Sequence, residues 1–92
     1  MTDSELLSEV KKRLGITGEY QDDILNGHIQ DVKDFMLDSG VSKETMLSNQ
    51  IIGAVTRGVS DLWDYGSGNG KFSTYFYQRV VQLIYKSGES DE

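Results

Sequence analysis

Tyr20-Gln21-Asp22-Asp23-Ile24-Leu25-Asn26-Gly27-His28-Ile29-Gln30-Asp31-Val32-Lys33-Asp34-Phe35-Met36-Leu37-Asp38-Ser39-Gly40 is the stretch whose reading decides the fold. Tyr20, Ile24, Leu25, His28, Ile29, Val32, Phe35 and Met36 form one stripe with the 3.6-residue period, while Gln21, Asp22, Gln30, Asp31, Lys33, Asp34 and Asp38 occupy the opposite face. The pattern predicts an amphipathic helix over 20–39, stopped by Ser39-Gly40. One residue fits poorly. Gly27 in a helix interior costs about 1 kcal/mol relative to Ala, so either something packs closely there or the helix starts further along.

Upstream, Thr2 and Glu5 have the spacing of a capping box, and Leu6, Leu7, Val10 and Leu14 recur at helical intervals. A first helix over 3–14 follows. Gly15 suits the left-handed position after its last turn, with Ile16 folding back as the accompanying apolar contact. Downstream, Ser48 or Asn49 can cap a helix carrying Ile51, Ile52, Val55, Val59, Leu62 and Trp63 and ending at Tyr65; Val41 to Leu47 leaves room for an extra turn before it. Gly66-Ser67-Gly68-Asn69-Gly70 then breaks the helical pattern as a flexible loop. Ser73 or Thr74 restarts it, and Phe76, Tyr77, Val80, Val81, Leu83 and Ile84 define a last helix over 73–86. The expected fold is all-α: a compact bundle of about four helices (3–14, 20–39, 48–65 and 73–86) in one domain over 1–92, with a disordered acidic tail at 87–92.

A chain of 92 residues supports a modest core, burying roughly 60 to 65% of its unfolded surface, so neighbouring subunits are a plausible source of further burial. With no cysteine there is neither a disulfide framework nor a thiolate metal site. No apolar run is long enough to span a bilayer, and the acidic start Met1-Thr2-Asp3-Ser4-Glu5 is unlike a signal peptide. A soluble protein that avoids the usual secretory route is expected. The net charge of −6 opposes binding to nucleic acid or anionic membranes. The one dense basic run, Lys11-Lys12-Arg13, is better read as cations facing the negative end of a helix dipole.

No set of residues in the sequence carries a catalytic or metal-binding signature. His28 is the single imidazole and lies on an apolar stripe, where a partly buried structural role outweighs a catalytic one; it also lacks a second histidine for metal binding. Asp22-Asp23 sits where carboxylates favour a helix start, and Asp61 with Asp64 shares one helix face without any sign of a cleft. Gly70-Lys71-Phe72 lacks the hydroxyl residue that would complete a phosphate-binding loop. No cofactor or metal is expected. The aromatics carry more information: Trp63, Tyr65, Phe72, Tyr75, Phe76, Tyr77 and Tyr85 crowd into one quarter of the chain, leaving Tyr20 and Phe35 upstream. Tyr and Trp favour interface centres, so the cluster is read either as core alone or as core plus subunit contact.

Several segments together carry a family resemblance: Leu6-Leu7-Ser8-Glu9-Val10-Lys11-Lys12-Arg13-Leu14-Gly15-Ile16-Thr17, the acids Asp22-Asp23, the helix Ile24 to Leu37, Asp38-Ser39-Gly40-Val41, Ile51-Ile52-Gly53-Ala54-Val55-Thr56-Arg57, and Gly70-Lys71-Phe72-Ser73-Thr74-Tyr75-Phe76. In their order and spacing the chain resembles the gp6-like head-tail connector proteins of tailed bacteriophages and prophages. The Gly-rich loop before the last helix departs from that pattern. The resemblance implies a non-enzymatic virion neck protein, assembled in the host bacterial cytoplasm into a homo-oligomeric ring, a dodecamer in the virion. Its implied partners are the portal protein and a stopper or tail-completion protein, with no membrane and no sequence-specific nucleic acid. Ring closure needs two different adhesive faces. The candidate contact residues are Tyr65, Lys71, Phe72, Tyr75, Tyr77 and Tyr85, with the loop and tail meeting portal or stopper. The competing reading is a small acidic helical adaptor or regulatory protein without catalytic activity.

Overall fold

The computed structural model describes residues 1–65 and 72–90, with side chains through Trp63 and from Phe72 to Lys86. Every regular element among them is helical: α1 (Asp3–Leu14), α2 (Asp22–Ser39), α3 (Lys43–Met46), a 3-10 turn (Asn49–Ile51), α4 (Ile52–Tyr65) and α5 (Thr74–Ser90). The expected loop at 66–70 lies outside the described residues. So do Asp91 and Glu92, whereas α5 itself runs to Ser90, past its expected end at 86.

Local chemistry sets the boundaries. The Thr2 hydroxyl accepts the Glu5 N–H at 3.1 Å and the Glu5 carboxylate accepts the Thr2 N–H at 3.0 Å, completing the capping box. Hydrogen bonding of the carboxylate by Thr2, through its backbone N–H first and its side chain second, holds the Glu5 carboxyl below its ordinary pKa. At the other end, Gly15 at φ 71° lets its own N–H reach the Lys12 carbonyl and the Ile16 N–H reach the Lys11 carbonyl. Gly40 repeats the device after α2. Its φ is 118°, the Gly40 N–H donates to Leu37 and the Val41 N–H to Met36, and buried Val41 and Met36 supply the apolar contact of such a cap. The start of α2 has no side-chain cap on Gln21. Instead Lys11 pairs with Asp22 at 2.7 Å and also donates to the Gly18 carbonyl, clamping the α1–α2 turn. Lys11 is thus an interhelical tie as well as a cation at a helix C-terminus.

The segment between α2 and α4 makes two short turns, each started by a serine: the Ser42 hydroxyl accepts from the Thr45 N–H and the Ser48 hydroxyl from the Gln50 N–H. The helix expected from residue 48 therefore begins properly at Ile52, as α4. It is the centre of the bundle, packing on α1, α2, α5 and the 3-10 turn, and the α2–α4 pair is the most extensive. Leu6 and Val10 of α1, Leu25, Ile29, Val32 and Met36 of α2, and Val55 and Val59 of α4 meet in one core with Phe76, Val80 and Leu83 of α5. A second ion pair, Lys33 with Asp3 at 2.9 Å, ties α2 back to α1 and depresses the Asp3 carboxyl through hydrogen bonding.

The two mid-helix glycines behave oppositely. At Gly58 a Cβ would lie 2.8 Å from a Phe76 ring carbon and 2.9 Å from both Val32 methyls, so only glycine admits this approach of α2 and α5 to α4. At Gly27 a Cβ would meet nothing within 4 Å among the described residues, so no close packing inside the chain explains this glycine. Gly58→Ala is expected to lose about 1–3 kcal/mol through overpacking. Gly27→Ala in the isolated chain is expected to gain about 0.5–1 kcal/mol by propensity. Urea unfolding of both variants checks the contrast, and a similar sign for the two would contradict it.

Candidate assembly surface

The placement of α5 depends on a polar clasp across the α4–α5 connection. Asp61, 3% exposed, accepts the Ser73 backbone N–H at 2.9 Å and pairs with Arg57 Nε at 3.3 Å. Arg57 Nε also donates to the Ser73 hydroxyl at 3.2 Å, and that hydroxyl caps α5 by accepting the Phe76 N–H at 3.2 Å. Asp61 is the one charged residue buried among the described residues, and a buried carboxylate persists only when such donors compensate its lost hydration. In the sequence alone it stands out only as half of a carboxylate pair with Asp64.

The clasp and the Gly58 contact together fix the rotation of α5 about its axis. Phe76, fully buried, is its anchor, and Phe72 stacks on it at 4.3 Å between ring centroids. Phe35 of α2 joins them, 5.0 Å from Phe72 and 5.7 Å from Phe76. With Phe76, Val80 and Leu83 turned inward, Val81 falls roughly 130° from the core direction, since each residue advances about 100° around the helix. It is 63% exposed, which corrects its placement on the apolar stripe beside Val80. Tyr77 and Tyr85 flank it at i−4 and i+4, so α5 presents one outward row, Tyr77, Val81 and Tyr85, with exposures of 45%, 63% and 70%.

The other residues singled out by sequence separate from this row. Tyr75 is exposed with the Arg57 guanidinium 5.8 Å from its ring centre, a cation–π contact at the edge of the clasp. Phe72 is half-buried and belongs mainly to the internal ring cluster. The Tyr65 side chain and Lys71 lie outside the described residues. His28 is half-buried with its ring edge-on to Trp63 at 5.9 Å. Two residues of the α2 stripe, Tyr20 and Ile24, are exposed, Tyr20 because it precedes the helix.

Among the described residues no group of three or more His, Cys, Asp or Glu side chains is placed to hold a metal ion, and no helix is long and apolar enough to cross a membrane. An open depression of about 450 Å³ between α1 and the following turn is lined by Leu7, Ile16, Lys11 and small polar residues.

The dense interior and the outward row Tyr77, Val81 and Tyr85 leave an exposed apolar face of the kind found at protein–protein contacts. The family model for Phage gp6-like head-tail connector protein matches residues 4–89, and the chain belongs to that family. No curated protein and no solved structure matches it. The family's role is structural, so the chain is a phage connector of the virion neck and not an enzyme, working among phage assembly proteins such as portal and tail proteins.

Asp61→Ala should cost about 1.5–3 kcal/mol, since it strips the Ser73 N–H and Arg57 of a charged acceptor. Asp61→Asn, which keeps an acceptor oxygen, should cost less. Thermal unfolding ranks the two, and equal losses would show that the clasp does not depend on the accepted hydrogen bonds.

Proposed function

We propose that this connector acts as the repeating subunit of a closed ring, a dodecamer in the virion, seated between the portal and the stopper or tail-completion protein and assembled in the host cytoplasm. The supporting observation is the row Tyr77, Val81 and Tyr85 on one face of a helix whose other face is core, with Val81 and Tyr85 largely exposed and Tyr77 half-covered by its edge-on contacts with Phe35 and Phe72. Exposed aromatic rows of this kind are expensive to leave uncovered and provide interface anchors once covered. Family membership supplies the setting in which a partner covers them. In this reading Tyr75, Tyr77 and Tyr85 are subunit contacts, Phe72 stiffens the surface from beneath, and Tyr65 and Lys71 contact a neighbour beside the α4–α5 connection. The Gly66 to Lys71 segment and the acidic tail meet portal or stopper. The subunit does its work by shape and adhesion alone.

Analytical ultracentrifugation and electron microscopy, with and without the portal ring of the same phage, test this reading. Wild type is expected to form concentration-dependent oligomers, or rings on the portal. Tyr75→Ala and Tyr85→Ala should weaken assembly strongly while shifting subunit stability by no more than about 0.5 kcal/mol, as surface substitutions do. Strictly monomeric wild type in the presence of portal would overturn the proposal, and loss of folding stability matching the loss of assembly would place both rings in the core.

A further inference from the structure

Beside the aromatic row, α5 carries a second strip, the one that borders α4. Tyr75, Arg79, Gln82 and Lys86 follow one another along it at intervals of four, three and four. The Arg57 guanidinium sits 5.8 Å from the Tyr75 ring centre, and a Cβ on Gly53, one turn before Arg57 on α4, would lie 3.9 Å from Arg79 Nη2. Arg57, Arg79 and Lys86 thus share one face. Among the described side chains of α4 and α5 the one acid is Asp61, which is buried and engaged by Arg57 and Ser73. We infer that this cationic strip of one copy docks on the acidic outward face of α2 in the next copy; this rests on the ring proposal above.

The two faces match in charge and in spacing. Asp23, Asp31, Asp34 and Asp38 are exposed on the side of α2 away from Leu25, Ile29, Val32 and Met36. Among the described residues none of these four has an ion pair, whereas Asp3, Glu9, Asp22 and Asp61 each have one. Residues 19–44 hold seven acids against Lys33 and Lys43, a net of −5, while residues 45–86 hold four cations against two acids, a net of +2. Arg79, Gln82 and Lys86 repeat the three-then-four interval of Asp31, Asp34 and Asp38. Two cations about 10.5 Å apart along one helix therefore meet two carboxylates about 10.5 Å apart along the other.

Within one subunit the strip cannot reach that face. Arg79 and Lys86 lie roughly 160–180° around α5 from Tyr77, and Tyr77 is the residue that leans on Phe35 of α2 at 5.7 Å. The strip and α2 are on opposite sides of α5. Opposite charges on separate surfaces make a head-to-tail contact that continues to closure, whereas twofold pairing of either face would set like charges together. Charge here selects the partner and the register, and burial comes from Tyr75 and from Val81 and Tyr85 on the adjoining surface of α5.

Charge reversal tests the docking. Arg79→Glu with Lys86→Glu turns the strip acidic, and Asp31→Lys with Asp34→Lys and Asp38→Lys turns the α2 face basic. Each variant alone is expected to associate at least about tenfold more weakly than wild type in sedimentation experiments with the portal ring present. An equimolar mixture should recover most of the wild-type association, because the two chains can then alternate around the ring. Lys12→Glu with Arg13→Glu changes the net charge as much as the strip variant does, but on α1, and should recover nothing when mixed with the α2 variant. Thermal unfolding checks that each variant keeps its fold; if Arg79→Glu does not, Lys86→Glu alone, at an exposed position, takes its place in the mixture. If wild type assembles but the variants associate equally well, or the mixture recovers no more than the α1 control, the docking is wrong while the ring proposal survives. If wild type stays monomeric with portal present, both fall.

Discussion

The whole bundle depends on the meeting of three helices at Gly58. The ring of Phe76 from α5 and the methyls of Val32 from α2 both occupy the volume that any side chain at this position of α4 would take. The contact places the ring and the methyls directly against the α4 backbone, adding dispersion attraction to apolar burial. It also sets distance and angle. Because α4 is the element that α1, α2 and α5 all pack on, the spacing chosen at Gly58 propagates to every other pair.

A second constraint converts that packing into a defined surface. Asp61 and Arg57 on α4 hold Ser73, and Ser73 caps α5, so the last helix is fixed at its first turn by hydrogen bonds and, just beyond the cap, by Phe76. With rotation fixed at two points, Tyr77, Val81 and Tyr85 must face outward. The rigid interior thus determines which residues of α5 remain exposed, and a surface held in place before binding loses less entropy when a partner covers it.

Much of the fold is legible in the sequence because it rests on local signals. The Thr2–Glu5 box, Gly15 followed by Ile16, and Ser39-Gly40 are short-range devices whose residue types announce the geometry, and the structure uses each of them. The stripe of α2 is legible from Leu25 onward, where most of its residues are core. Tyr20 and Ile24 fall on that stripe yet lie in solvent, because periodicity reports phase and not where the neighbouring helix ends. Val81 misleads for a related reason, since adjacent valines look alike in sequence and only the rotation of α5 separates them. The role of Asp61 depends on Ser73, across a connection that sequence spacing does not fold. Ile51, Ala54, Gly58 and Asp61 do form a row at intervals of three and four, and a row containing a glycine and a carboxylate among apolar residues is the available sign of a tight, polar-clasped contact.

One face of α5 is committed to the core and the other is left exposed, and everything proposed for this connector follows from that division. Oxidative footprinting read by mass spectrometry, performed on the isolated subunit and on the subunit assembled in the neck, measures both faces at once. Tyr77, Val81 and Tyr85 should be modified in the isolated subunit and protected after assembly, while Phe76 stays protected throughout. Equal modification of the outward row in both states would contradict the account.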